Sequence, residues 1–83
     1  MNNVKSKFEL VKSLKKGDMV AFDAIYNQYC HKLYQFVFMF LKQKEDAEEI
    51  VQDVFIKIWE SRGKIDIYAS FESEIAFQTK AAI

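Results

Sequence analysis

Gly17 and Gly63 are the only glycines in this chain, and it has no proline. Between them lie 45 residues that nothing in backbone chemistry prevents from running as long helices. The side chains take that freedom. From Asp46 to Trp59, Ala47, Ile50, Val51, Val54, Phe55 and Ile58 recur at three-and-four spacing and form one apolar stripe. No clean alternation of polar and apolar residues occurs anywhere. The pattern predicts an all-α fold, a compact bundle of three to four helices. With 83 residues and 51% hydrophobic content, one small domain spanning 1–83 is expected. Surface scaling gives such a domain burial of roughly 60–65% of its unfolded surface, enough for one core.

Four helical segments can be drawn. The first is predicted over about Lys5 to Lys16, anchored by Phe8, Val11 and Leu14. Gly17 can take the left-handed conformation that ends it, and Asp18 can cap the second helix. That helix reads to about Lys42, roughly 35 Å at 1.5 Å per residue. Its main stripe is Phe22, Ile25, Tyr26, Tyr29, Leu33, Phe36, Val37 and Phe40, with Phe38 almost opposite beside Tyr34 and Met39. Either the first and fourth helices cover Phe38, or it marks a partner site. The third helix begins near Glu45, where acidic residues favour the positive dipole end, and stops at Gly63. Lys64 to Ala69 is a connector containing Ile65, Ile67 and Tyr68, and Ser70 can cap a fourth helix running from Phe71 toward Ile83.

The third helix has a second face. Gln52, Asp53 and Glu60 lie three or four positions from Ile56, and Glu49 seven, two turns back on the same face, so together they can ring it on the surface. Such a ring is either a solvated acidic face or a docking surface for a basic partner with an apolar patch. The 12 basic and 12 acidic side chains balance, whereas a dedicated duplex-binding domain carries a cationic excess to displace counterions. A helix-turn-helix reading fails because the long third helix presents an acidic outer face.

Enzymatic and metal roles find little support. Cys30 and His31 are adjacent, about 100° apart on a helix, and no second Cys or His completes a metal site. A nucleophile–base pair would need a third orienting group. Neither catalysis, a metal nor a cofactor is expected, and Cys30 is read as partly buried with His31 solvated. A single cysteine cannot form an internal disulfide. Lys5, Lys7 and Glu9 interrupt any signal-peptide pattern, and Leu33 to Leu41 is too short for a span needing about 20 residues. A soluble, cytoplasmic protein without a membrane role is the expectation.

The order LVKSLKKGDMVAFDAIYNQY, then LYQF, DAEEIVQDVFIKIW and SF, from about Leu10 to Ser73, resembles region 2 of the extracytoplasmic-function sigma factors. These are small bacterial subunits that direct RNA polymerase to promoters. The resemblance implies that the third helix docks on a basic coiled coil of the largest subunit of the polymerase core. Glu49, Gln52, Asp53 and Ile56 match that contact. It further implies that the following loop and fourth helix face the non-template strand of promoter DNA at the minus-ten element. There Arg62, Lys64, Tyr68, Ser70 and Phe71 match by position, with Tyr68 as a stacking face and Arg62 or Lys64 as a phosphate contact. For Phe71 the alternative of sealing the core, with Ile67, is preferred. Anti-sigma proteins are implied as regulators.

The chain departs from that pattern after Ser73. Glu74 stands at the expected aromatic position, and Lys80 is the only basic residue beyond Lys64. Set against the family pattern, the basic end of the promoter-reading helix and the domain that reads the minus-thirty-five element are expected to be missing. The expectation is an excised or degenerate amino-terminal fragment, compromised in promoter recognition but not in polymerase docking. The rival reading is a stand-alone helical interaction module or dimer without a DNA role.

Overall fold

A computed structural model describes residues 6–83, and these form four α-helices and one short 3-10 turn. Helix α1 spans Lys7–Lys15, α2 Met19–Leu41, α3 Lys44–Glu60 and α4 Phe71–Ala82, with the 3-10 turn at Arg62–Lys64. No strand occurs among the described residues. The molecule measures 40 × 30 × 19 Å, so its thinnest dimension is about two helix diameters.

Local chemistry sets the boundaries. Lys5, the predicted start of α1, lies outside the described residues. Within them Ser6 caps α1 in a reciprocal box: its Oγ accepts from the Glu9 N–H while the Glu9 carboxylate accepts from the Ser6 N–H. At the other end Gly17 has φ +87°. The Asp18 N–H donates to the Ser13 carbonyl at 3.2 Å and the Gly17 N–H to that of Leu14 at 2.9 Å, the paired bonds of a Schellman termination. Asp18 then accepts from the Val20 and Ala21 N–H groups to start α2. Helix α2 ends one residue early because Lys42 itself turns left-handed at φ 60°.

The expected stop of α3 at Gly63 is corrected. The helix ends at Glu60, and the chain tightens into the Arg62–Lys64 turn, where Gly63 has no positive φ. Ser61 closes α3 by donating its hydroxyl to the Lys57 carbonyl at 2.8 Å.

Helix α3 is the hub, packing against α2, α4 and the 3-10 turn. Its stripe of Ala47, Val51, Val54, Phe55 and Ile58 is buried, while Ile50 is partly so. Leu10, Val11 and Leu14 come in from α1, Ala21, Ile25, Leu33 and Val37 from α2, and Phe71 and Ile75 from α4. Phe55 is held edge-on by Phe22, with centroids 6.3 Å apart, and by Tyr26, at 4.9 Å. Burying one such aromatic is worth roughly 1.5–3 kcal/mol.

Three predicted core positions, Phe36, Phe40 and Phe8, are corrected. Phe36 is 49% exposed and Phe40 62%, although both share the helical face of Leu33 and Val37. The reason is the path of α4, which packs along α3 and leaves an apolar groove of about 680 Å³ against α2. Phe36, Phe40, Ala76 and Ile83 line it rather than meeting one another as core. Phe8 is likewise 43% exposed: the first turn of α1 overhangs the core, and its ring rests on Tyr68 instead. Phe38 is 38% exposed, its ring tilted against Tyr34 one turn earlier, so the expected cover from α1 and α4 is incomplete.

Candidate functional site

The outer face of α3 follows from the burial of its inner one. With Val51, Val54, Phe55 and Ile58 turned inward, the 3.6-residue period forces Glu49, Gln52, Asp53, Ile56 and Glu60 outward, and all five are exposed. Ile56 keeps 53% of its surface open to solvent. Among the described residues the one ion pair is Lys7–Glu72, so no described lysine forms a salt bridge to the ring. The face therefore combines three carboxylates, one carboxamide and one exposed apolar side chain. Beside it α2 and α3 enclose a hollow of about 420 Å³, lined by Tyr26, Tyr34, His31, Glu48 and Gln52 among others. Cys30, partly buried, also reaches this hollow, and His31 is exposed.

The segment after α3 is built differently from a loose connector. Ile65 is buried at 4% exposure and pins the loop to the core. From α1, the Lys15 ammonium donates to the Ile65 carbonyl, a bond 50 residues apart in sequence. Ile67 is partly buried and Phe71 only 3% exposed, so both seal the core beneath the loop. Within the loop the Asp66 carboxylate accepts the Tyr68 N–H at 2.9 Å, forming a turn that lifts Tyr68 out to 85% exposure.

With Phe71 in the core, the other four positions matched by sequence differ in availability. Tyr68 and Lys64 are exposed. Arg62 is engaged: its guanidinium lies 4.1 Å from the centroid of the Trp59 ring and donates to the Trp59 carbonyl at 2.8 Å. Ser70 caps α4 by accepting the Ser73 N–H, and its hydroxyl also meets the Glu72 carboxylate at 3.1 Å.

Glu72 is a residue that sequence reasoning passed over. Its carboxylate accepts from the Lys7 ammonium, from the Tyr29 hydroxyl at 2.6 Å and from Ser70, joining α1, α2 and the start of α4. The Lys7 hydrogen bond first, and the Tyr29 bond second, hold its carboxyl down at about 2. The same Glu72 bond raises the Lys7 ammonium, and burial followed by the Glu72 bond raises the Tyr29 phenol. An acidic residue in the first turn after a serine cap was the available signal. Its partners, 65 and 43 residues distant, were not.

Taken together, the geometry defines a small helical domain with an acidic, apolar-centred face on α3 and a braced loop carrying an exposed tyrosine. Residues 25–73 match the sigma-70 region 2 family, and the chain belongs to that family, which is non-enzymatic. It is 30% identical over 71 residues to the RNA polymerase sigma-H factor of Pseudomonas aeruginosa, covering 86% of this chain and 34% of that one. It is 35% identical over 63 residues to the ECF RNA polymerase sigma factor SigW of Bacillus subtilis, covering 76% and 34% respectively. The chain spans about a third of the length of these curated relatives. No solved structure matches it. No helix among the described residues is long and apolar enough to cross a membrane.

Proposed function

We propose that residues 1–83 act as one sigma region 2 domain in transcription initiation, in the cytoplasm, docking on RNA polymerase core through the outer face of α3. Glu49 and Asp53 offer charge-assisted hydrogen bonds to a cationic receptor, the basic coiled coil of the largest subunit. Gln52 adds a neutral donor and acceptor, and Ile56 loses its water at the centre. The observation that carries this reading is Ile56 itself, 53% exposed on a helix whose opposite face is fully packed. Folding gives no reason for a β-branched apolar residue there.

The loop after α3 presents Tyr68 and Lys64 to the non-template strand of the minus-ten element, Tyr68 by stacking and Lys64 by phosphate contact. Arg62 and Ser70 serve the strand indirectly, Arg62 by fixing the turn against Trp59 and Ser70 by starting α4. An anti-sigma protein that occupied either surface would block the activity. A second reading, a stand-alone interaction module or dimer, draws on the groove between α2 and α4 with its exposed Phe36 and Phe40.

The test is capture of purified polymerase core by the immobilised chain. Ile56→Glu and Asp53→Arg are each expected to weaken capture at least about 30-fold, the effect of losing a central hot spot. Circular dichroism should be unchanged, since both positions lie off the core. Wild-type capture by both variants would overturn the docking assignment and leave the interaction-module reading.

A further inference from the structure

Helix α1 has no part in the reading above, yet it brings a second exposed ring and two cations without an acidic partner among the described residues to the edge of the loop. The Phe8 and Tyr68 rings lie 6.0 Å apart at 44°. They form adjoining, mutually tilted faces, both open to solvent. The Lys12 ammonium sits 5.7 Å from the Phe8 centroid, and Lys16 follows one turn further along the same side of α1, about 5.4 Å on. Neither lysine has an acidic partner among the described residues. The nearby acids are already occupied: Glu9 in the Ser6 capping box, Asp66 by the Tyr68 N–H and Glu72 by Lys7, Tyr29 and Ser70. The whole edge is held rigidly, because Lys15 ties α1 to the Ile65 carbonyl and α1 packs on the Arg62–Lys64 turn.

We infer that Phe8 and Lys12 belong to a single-stranded DNA site shared between α1 and the loop. Two successive unstacked bases lie on Tyr68 and Phe8, and the intervening phosphates run past Lys12 toward Lys16. Aromatic faces accept any base, and ammonium groups follow the backbone, so the site is strand-selective rather than sequence-reading. A duplex keeps its base faces stacked internally and offers them nothing. The inference rests on the loop reading but goes beyond it, since it moves the strand onto a helix that the sequence pattern gave only a structural task.

The 83-residue chain is titrated into a fluorescein-labelled, AT-rich single-stranded DNA oligonucleotide, and anisotropy is followed over a series of salt concentrations. Phe8→Leu keeps the apolar bulk but removes the ring, and is expected to weaken binding about tenfold. Phe8→Tyr restores the face and is expected to bind as wild type, which separates stacking from any loss of fold. Lys12→Gln is expected to flatten the slope of log affinity against log salt by about 0.7, one phosphate contact on a single strand. If Phe8→Leu and Lys12→Gln match wild type in affinity and slope while Tyr68→Leu weakens binding, α1 is excluded and the loop reading survives. If Tyr68→Leu also matches wild type, both fail. Absence of binding by the unaltered chain, or equal binding of the same sequence as a duplex, overturns the inference directly.

Discussion

Replacing Glu72 by Gln keeps the shape of the side chain and removes its charge, so it isolates what that carboxylate does for the fold. Three donors converge on it, from α1, α2 and the Ser70 cap. It also stands in the first turn of α4, where a negative charge gains about 0.3–1 kcal/mol from the helix dipole. The Tyr29 hydroxyl, at 2.6 Å, loses a charged acceptor and keeps a neutral one, at a cost of about 0.5 kcal/mol in this half-exposed setting. The Lys7 arm is solvent-exposed and contributes a component that salt removes. The expected loss is about 1 kcal/mol at pH 7, which for a domain of this size lowers Tm by about 4–8 °C. Because the folded carboxyl sits at about 2, below its ordinary 4.5, the stabilisation is complete above pH 4.5. It fades as pH falls from 4.5 to about 2, where the unfolded carboxyl is protonated and the folded one half so. Thermal denaturation followed by circular dichroism at pH 7, 4.5, 3 and 2 should therefore show a gap between wild type and Glu72→Gln that narrows over that window. Equal Tm at pH 7, or a gap undiminished at pH 2, would refute the account of Glu72 as a charged junction.

Two further outcomes follow from the packing. Phe55→Ala removes a fully buried ring from between Phe22 and Tyr26, and urea denaturation should show a loss of about 3–5 kcal/mol, enough to leave little folded protein. Gly17→Ala meets only ordinary contact with Arg62 at 3.6 Å, so its cost of about 1–2 kcal/mol comes from φ +87° and should appear in Tm without any change in the folded-state spectrum.

Much of this architecture is legible in the chain because its causes are local. The stripe of α3, the Asp18 and Ser70 caps and the left-handed Gly17 each depend on neighbours within four residues. The exposure of Ile56 follows from the same period that buries Val54 and Phe55. What the chain did not disclose depends on where helices meet. Periodicity places Phe36 and Phe40 on the face of Val37, but it cannot say that α4 turns away and leaves them bare. Nor could it reveal that Phe8 reaches Tyr68, or that Lys15 braces Ile65, since those pairs are joined only by the folding of α1 against the turn. By position Arg62 matches a phosphate contact, and its spacing of three from Trp59 is ambiguous until the 3-10 turn directs the guanidinium back over the indole.

The two-sidedness of α3 has a genetic consequence. Asp53, Val54, Phe55 and Ile56 are consecutive letters, yet the outer two face solvent and the inner two face the core. A saturation screen scored separately for abundance and for partner capture should break this tetrapeptide into opposite phenotypes. Lesions at the middle positions would deplete the protein itself, whereas lesions at the flanks would yield plentiful, inert product.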